Sequence, residues 1–291
     1  SAASDVYKRQ TPRWLLSKGR LKECRKVLQK IEPENTVNDL IGQMEVEIEK
    51  DRNSAVGWRY LMQPWLRTPL MIAVCIMFFQ QFVGINTVIY YSPKIFLMAG
   101  FESTLSAIWA SVGIGIVNVV FTVISLYLVD RIGRRKLYFI GLSGIAFSVL
   151  CLSACFIYAN QLGEIGRWLM VIFMFGYVAF FAISIGPLGW LVISEIFPQK
   201  VRGLGTSIGS LAVWIFNCIV SFTFFKIIDF FSIPGTEIVV GQTTSENPAG
   251  AFFLYGFIAV LGLVWGYLFL PETKGLSLEE IEQKWRKNRE C

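Results

Sequence analysis

Gln80, Gln81 and Asn86 set three carboxamides inside an apolar run that begins near Leu70 and continues to Tyr91. A carboxamide offers hydrogen-bond donors and an acceptor without charge. Hydrocarbon can satisfy neither, so side chains of this kind turn towards a protein interior or a water-filled cavity, and a polar cluster at that depth marks a functional site. Uncharged donors and acceptors together suit a neutral ligand rich in hydroxyls, such as a sugar. The chain contains no histidine, the commonest general base and metal ligand. Cys24, Cys75, Cys151, Cys155, Cys218 and Cys291 show no Cys-x-x-Cys spacing, and the default reading for them is reduced or buried thiols. A nucleophile-and-base enzyme, a metal centre and a cofactor site are therefore not expected.

The elements that must position these amides are membrane spans. Of 291 residues, 54% are hydrophobic and 16% charged, and the mean hydropathy is +0.53, far from a soluble domain. Six stretches are long enough to cross the hydrocarbon: about Leu70–Tyr91, Ile108–Val129, Leu137–Tyr158, Trp168–Ile193, Ile208–Phe231 and Phe252–Leu270. The net charge of +6 is not spread evenly. Lys and Arg gather before Pro69, at Arg131 to Lys136, at Lys200 and Arg202, and after Pro271, whereas the loops around Glu102, Glu164 and Glu237 to Glu246 carry few. That alternation puts both termini in the cytoplasm by the positive-inside rule. It also explains the basic pI without a nucleic-acid partner. The expected location is a multi-pass protein of the plasma membrane.

Four regions follow. Residues 1–10 fit no helical pattern and stand apart as an unassigned terminal segment. Residues 11–68 form a basic cytoplasmic linker, in which Leu21, Cys24, Leu28 and Ile31, then Val37, Leu40, Ile41, Met44 and Ile48, predict two short amphipathic helices. Residues 69–270 are the six-span bundle. Residues 271–291 are a cytoplasmic tail, where Ser277 and Glu280 make a capping-box pattern ahead of a short helix with Leu278, Ile281 and Trp285 on one face. Gly113, Gly115, Gly141, Gly144 and the Gly-x-x-x-Gly pairs Gly205/Gly209 and Gly262/Gly266 predict close helix packing. Pro187, between Gly186 and Gly189, should break the fourth span, and Gly84 with Asn86 and Pro93 suggests a second break in the first. Broken helices near the midplane are where transporters bind substrate.

These strings together resemble the sugar porter family of the major facilitator superfamily, over nearly everything from Thr11 onwards. The matching motifs are Pro12-Arg13; Gln80-Gln81, Gly84-Ile85-Asn86 and Tyr90-Tyr91; Asp130-Arg131-x-Gly133-Arg134-Arg135; Gly186-Pro187-x-x-Trp190 with Glu195; and Pro271-Glu272-Thr273-Lys274-Gly275. The resemblance implies an all-α membrane protein. It implies the carboxy-terminal half of a twelve-span fold, with six transmembrane helices and short cytoplasmic amphipathic helices. A missing amino-terminal six-span half is then a partner that alternating access requires, and the chain reads as a fragment or incomplete gene product.

Carried over position by position, the resemblance makes Gln80, Gln81, Asn86 and Asn118 the amides that bond sugar hydroxyls. Trp190 becomes the aromatic platform for the sugar ring, and Trp214 and Asn217 lie near the same cavity. Tyr90 and Tyr91 resemble the outer gate, with an interfacial aromatic belt as the competing reading. Asp130, Arg131, Arg134, Arg135 and Glu195 resemble an inner gate, a salt-bridge network that keeps the cytoplasmic side closed. Phe180 and Phe181 add to the wall by packing. Ala182 and Gly189 stand where animal facilitators carry an acidic residue and a second proline, which tilts the reading towards proton-coupled symport of a monosaccharide, hexose or pentose. The alternatives are a facilitative uniporter, a polyol or inositol carrier, a carrier of quinate or phosphate, and a non-transporting sensor. An anionic substrate would want an internal cation, for which Lys226 is the sole candidate and lies near the external end.

Overall fold

The computed structural model describes residues 12–30, 33–53, 61–101, 103–232, 238–240 and 243–275. The terminal segment 1–10, Ile31, Glu102, Glu237 and the tail pattern at Ser277, Leu278, Glu280, Ile281 and Trp285 lie outside the described residues. The chain divides into two compact units, Ser1–Tyr60 and Leu61–Cys291.

The first unit holds α1 (Pro12–Ser17), α2 (Leu21–Leu28) and α3 (Glu34–Asn53). The two amphipathic helices appear as read from their spacing. The unexpected α1 begins on Pro12, where the ring's fixed φ suits a helix start and its missing N–H costs nothing. Leu15 and Leu16 of α1, Cys24 and Leu28 of α2, and Val37 and Ile41 of α3 bury one small core. Burial pushes the Cys24 thiol above its ordinary range, and Glu45 adds to that, so Cys24 behaves as an apolar side chain.

Among its described residues the second unit contains six helical stretches long and apolar enough to cross a membrane. A 3-10 turn, Pro64–Leu66, leads into α4 (Arg67–Phe82) and α5 (Ile85–Met98), which together make the first span. Next come α6 (Thr104–Ile132) and α7 (Arg134–Ile157), then α8 (Ala159–Ile183) and α9 (Ile185–Ile196), which share the fourth span. The last two spans are α10 (Gln199–Phe230) and α11 (Ala249–Phe269). Between them β1 (Ile238–Val240) and β2 (Thr243–Ser245) pair antiparallel, Ile238 opposite Ser245, a short hairpin in a chain otherwise helical among the described residues. Most spans run several residues past the apolar stretch that announces them, because helix geometry continues through the polar ends once tertiary contacts support it.

Most of these glycines sit where helices approach closely, but a Cβ on Gly115 would meet nothing within 4 Å, so Gly115 is not a packing position. The Tyr138 ring of α7 lies against Gly266 of α11, and its hydroxyl donates to Gly262 O at 3.0 Å. Ser184 sits on Gly141, and the Phe180 ring fills the space over Gly144. Burial is uneven, however. In the first span 67% of the apolar window is buried, in α6 only 11%. Ile116, Val119, Val123, Leu126 and Tyr127 of α6 are all exposed. Exposure over so much of a helix's circumference marks it as a member that faces lipid or a further protein surface rather than its own bundle.

Candidate functional site

Both predicted breaks exist, and each is built by identifiable groups. The first comes at Gly84, whose φ of 86° is the left-handed conformation that only glycine adopts without strain. A Cβ there would enter the ring of Tyr255, whose Cζ would lie at 2.7 Å. The Val83 carbonyl at this break is taken up by Tyr177 Oη, which donates to it at 2.8 Å, while Gly84 O accepts the first backbone bonds of α5 and also takes Thr87 Oγ1 at 2.7 Å. Pro93 lies inside α5 and does not interrupt it.

The second break falls at Ser184 (φ −127°, ψ −102°), three residues before Pro187. Pro187 thereby sits in the first turn of α9, where its missing N–H removes no intrahelical bond. Ser184 Oγ donates to Phe180 O at 2.6 Å and closes the end of α8.

The amides bridge the two breaks. Gln80 Nε2 donates to Ile185 O at 3.0 Å and to Gly186 O at 2.7 Å, across from α4 to the first turn of α9. Gly189 leaves room for this reach, since a Cβ there would lie 3.0 Å from Gln80 Nε2. Gln81 Nε2 donates to Gln80 Oε1 at 3.2 Å, and Asn86 Nδ2 donates to Gln81 Oε1 at 2.5 Å. Gln80 and Gln81 are 3% and 5% exposed, so an unpaired carboxamide here would cost about 1–3 kcal/mol.

A hollow of about 360 Å³ opens beside them. Gln80, Gln81, Ile85 and Asn86 form one side, Asn118 and Thr122 of α6 a second, and Phe181, Ala182, Gly186, Pro187 and Trp190 a third, with Val213 of α10 completing the wall. No cation lines it. The structure thus brings together five of the seven predicted binding residues: Gln80, Gln81, Asn86, Asn118 and Trp190. Trp190 is 40% exposed, so its ring is available to a ligand.

Trp214 and Asn217 are not in this wall. Trp214 is 65% exposed, while Asn217 is buried and points along α10, donating to Tyr90 Oη at 3.3 Å and accepting from Ser221 Oγ at 3.0 Å. Thr122 was missed, although it stands one helical turn after Asn118 and so had to share its face. Of the paired phenylalanines, Phe181 lines the hollow and Phe180 packs on α7.

Tyr90 and Tyr91 tie α5 to α10. Tyr91 stacks on Phe224 with ring centroids 5.4 Å apart and 8° between planes, and its hydroxyl donates to Ser221 O at 3.3 Å. Phe225, edge-on to Tyr91 at 4.8 Å, carries Lys94 Nζ over its face at 4.0 Å. These contacts fit a clasp between two helices better than a belt of side chains at the lipid interface.

At the other end of the bundle, Arg134 Nη2 pairs with Glu195 Oε1 at 2.8 Å, and Asp130 lies 3.3 Å from Arg134 Nη1. The Arg134 and Glu195 side chains are only 13% and 21% exposed, whereas Asp130 is 75% exposed and contributes little. Arg131 takes part through its backbone carbonyl, which accepts from Lys274 Nζ at 2.7 Å. The Arg135 guanidinium reaches Tyr267 O at 2.7 Å and not the cluster, which Arg135 joins only through its backbone N–H.

Glu272 and Thr273 belong to this cluster although their motif gave no role in advance. Glu272 accepts from the backbone N–H groups of Arg134 at 3.0 Å and Arg135 at 3.1 Å, capping the start of α7. The same carboxylate accepts from Thr273 N at 3.1 Å and Lys274 N at 3.0 Å. Thr273 Oγ1 donates to Glu195 Oε2 at 2.6 Å. An anion on a helix N-terminus, fully hydrogen-bonded, is worth about 1–2 kcal/mol.

Gly205-Thr206-Ser207-Ile208-Gly209 has the Gly-x-Ser-x-Gly spacing of a hydrolase nucleophile. That chemistry needs a strained turn between strand and helix. Ser207 instead sits within α10 with its hydroxyl on Gly203 O at 2.9 Å, so the string is a packing element. Among the described residues there is no cluster of His, Cys, Asp and Glu that could hold a metal ion.

A family model described as "Sugar (and other) transporter" matches residues 6–285. The chain is similar to the D-xylose-proton symporter of Escherichia coli strain K12, 34% identical over 276 residues, covering 95% of this chain and 52% of that protein. It is equally similar to the glucose facilitated diffusion protein of Zymomonas mobilis, at 34% over 278 residues, covering 95% and 54%. A solved structure of a proton:xylose symporter of the major facilitator superfamily, bound to 6-bromo-6-deoxy-D-glucose, matches with a TM-score of 0.68 and 33% identity. It covers 94% of this chain and 54% of that one. The chain spans about half the length of the curated relatives it matches.

Proposed function

This chain belongs to the sugar (and other) transporter family, and on that premise we propose that it supplies the carboxy-terminal six-span half of a carrier for a neutral monosaccharide. The observation that carries the reading is the hollow itself: four carboxamides and one partly exposed indole converge on a space that no cation lines among the described residues. Each neutral hydrogen bond to a sugar hydroxyl contributes about 1 kcal/mol net, and ring stacking on Trp190 adds a similar amount. A handful of these gives dissociation constants in the micromolar to millimolar range, weak enough for release on the far side. No covalent step is involved. The other half of the cavity belongs to the amino-terminal spans of the carrier, and the breaks at Gly84 and Ser184 are the joints at which this half opens and closes around the sugar. The carrier resides in the plasma membrane with both termini of this chain in the cytoplasm.

Proton-coupled symport is the preferred mode, supported by Gly189 and Ala182 at the positions where facilitators differ and by the similarity to a proton symporter. The equal similarity to a facilitated diffusion protein keeps uniport as the second reading. Uptake of labelled glucose, xylose and inositol into proteoliposomes holding the carrier with its amino-terminal spans separates these. Accumulation above equilibrium under an inward proton gradient is expected for a monosaccharide. Equilibration at a rate indifferent to the gradient means uniport, preference for inositol means a polyol carrier, and no uptake of any of the three removes the reading.

The Arg134–Glu195–Thr273 cluster acts as the inner latch. Glu195→Gln keeps the shape and loses the charge that faces a largely buried guanidinium, which typically costs about 3 kcal/mol or more. The expected result is a carrier shifted towards its cytoplasm-open state, with faster alkylation of cysteines placed in the cytoplasmic cavity. Unchanged alkylation would count against a latch.

A further inference from the structure

The first unit is electrically lopsided. Along α2 the buried Cys24 and Leu28 face the small core, and the helical period turns Lys22 and Lys26 to the opposite side, with Arg25 on its shoulder. Lys18 and Lys30 extend the row by one step of four residues at each end, and all five of these cationic residues are exposed. None of them forms an ion pair among the described residues. The one acid on α2, Glu23, is already taken, since its two carboxylate oxygens accept from Arg20 at 2.8 and 2.7 Å. Arg25 gives a guanidinium nitrogen to Asn38 Oδ1 at 2.6 Å, a neutral partner that leaves the charge uncompensated. Among the described side chains the other acids of the unit, Asp39 and Glu45, both stand on α3. Leu21, one helical turn before Arg25, is an apolar side chain left 42% exposed beside the basic row.

We propose that this face of α2 docks on the anionic headgroups of the bilayer, with Lys18, Lys22, Arg25, Lys26 and Lys30 against lipid phosphates and Leu21 at the edge of the acyl layer. Unpaired cations around one exposed apolar side chain suit a surface that is anionic outside and apolar beneath. A nucleic acid would satisfy the charges and leave Leu21 without a use. The chain itself also brings the bilayer close. Helix α3 ends at Asn53 and α4 begins at Arg67, so the connecting segment holds the unit within about 50 Å of the membrane and makes the encounter intramolecular. On the topology proposed above, that surface is the cytoplasmic leaflet, the one rich in anionic lipid. Each cation brought to such a surface improves partition by about fivefold. Asp39 and Glu45 are repelled by the same surface, so the unit docks by its α2 side and in one orientation. On a neutral bilayer the face stays in water.

The test is amide hydrogen exchange, read by mass spectrometry on the chain joined to its amino-terminal spans. The protein is held in nanodiscs of phosphatidylcholine alone, or with about 30 mol% phosphatidylglycerol. Amides of α2 are expected to exchange at least about threefold more slowly in the anionic discs, and those of α3 to change by less than about 1.5-fold. The difference should vanish in about 0.5 M NaCl, where the screening length falls to about 4 Å. A variant carrying Lys18→Gln, Lys22→Gln, Lys26→Gln and Lys30→Gln together should exchange alike in the two kinds of disc, with α3 at its wild-type rate as the sign of an intact unit. Equal exchange of α2 in both discs, slowing that persists at high salt or in the variant, or equal slowing of α2 and α3 would overturn the proposal. So would slowing of α2 in neutral discs by an added RNA oligonucleotide without any slowing by anionic lipid, which would assign the face to nucleic acid. The salt series on the wild-type protein needs no substitution, so a poorly folding variant does not shelter the idea. Sugar uptake is not read in this experiment, and the carrier reading stands or falls separately.

Discussion

Gln81→Ala in the complete carrier is expected to cut the initial rate of sugar uptake by roughly 10- to 100-fold while surface expression holds. Gln81 stands in the middle of the amide cluster, giving a hydrogen to Gln80 and taking one from Asn86. Truncation removes whatever hydroxyl contact Gln81 makes and also releases Asn86 from its fixed orientation. Two lost or misdirected bonds at about 0.7–1.4 kcal/mol each give that range, since about 1.4 kcal/mol is a factor of ten. Folding is less affected, because the freed space adjoins a hollow that water can enter and satisfy. The measurement is uptake against the amount of protein at the surface. Wild-type uptake at wild-type expression would remove Gln81 from the site.

Gly84→Ala is the second large effect, and it acts on the joint rather than on the ligand. The left-handed conformation at φ 86° costs about 1–2 kcal/mol for a residue with a Cβ. The new methyl also enters the ring of Tyr255, which is 1% exposed and has little room to move, and overpacking of that kind adds about 1–3 kcal/mol. A lower melting temperature of the detergent-solubilised protein and reduced expression are expected. Because Tyr255→Ala leaves a cavity of its own, the steric share is the part of the Gly84→Ala cost that disappears when it is measured in a Tyr255→Ala background, while the conformational share remains. Full stability of Gly84→Ala alone would mean the hinge does not need glycine.

The spans were legible because an apolar run of about twenty residues has almost no other use. The two breaks were legible because Gly84 and Pro187 interrupt such runs, although the second falls at Ser184, where the chain can change direction and still place the proline in a first turn. The amides were legible because nothing else explains them at that depth. Side-chain direction around a helix was harder to read, since rotation is set by neighbours distant in sequence. Trp214 and Val213 are adjacent, yet only Val213 faces the hollow. Thr122 could have been found by adding one turn to Asn118. The use of Glu272 as a cap could not, because its partners Arg134 and Arg135 are 138 and 137 residues away. The β1–β2 hairpin carries too short a pattern to stand out between two long apolar segments.

Glu272 holds the first amides of α7 while lying just beyond the end of α11, and Tyr138 binds α7 to α11 again deeper in the bundle. Two rods pinned at two heights can neither slide nor swivel past one another. They form the chassis of this half. The first and fourth spans, each cut into two segments and tied to one another by Gln80, are on the proposed carrier reading the parts free to move. That reading predicts that rearrangement on adding sugar registers on α5 and α9 before α7 or α11 moves.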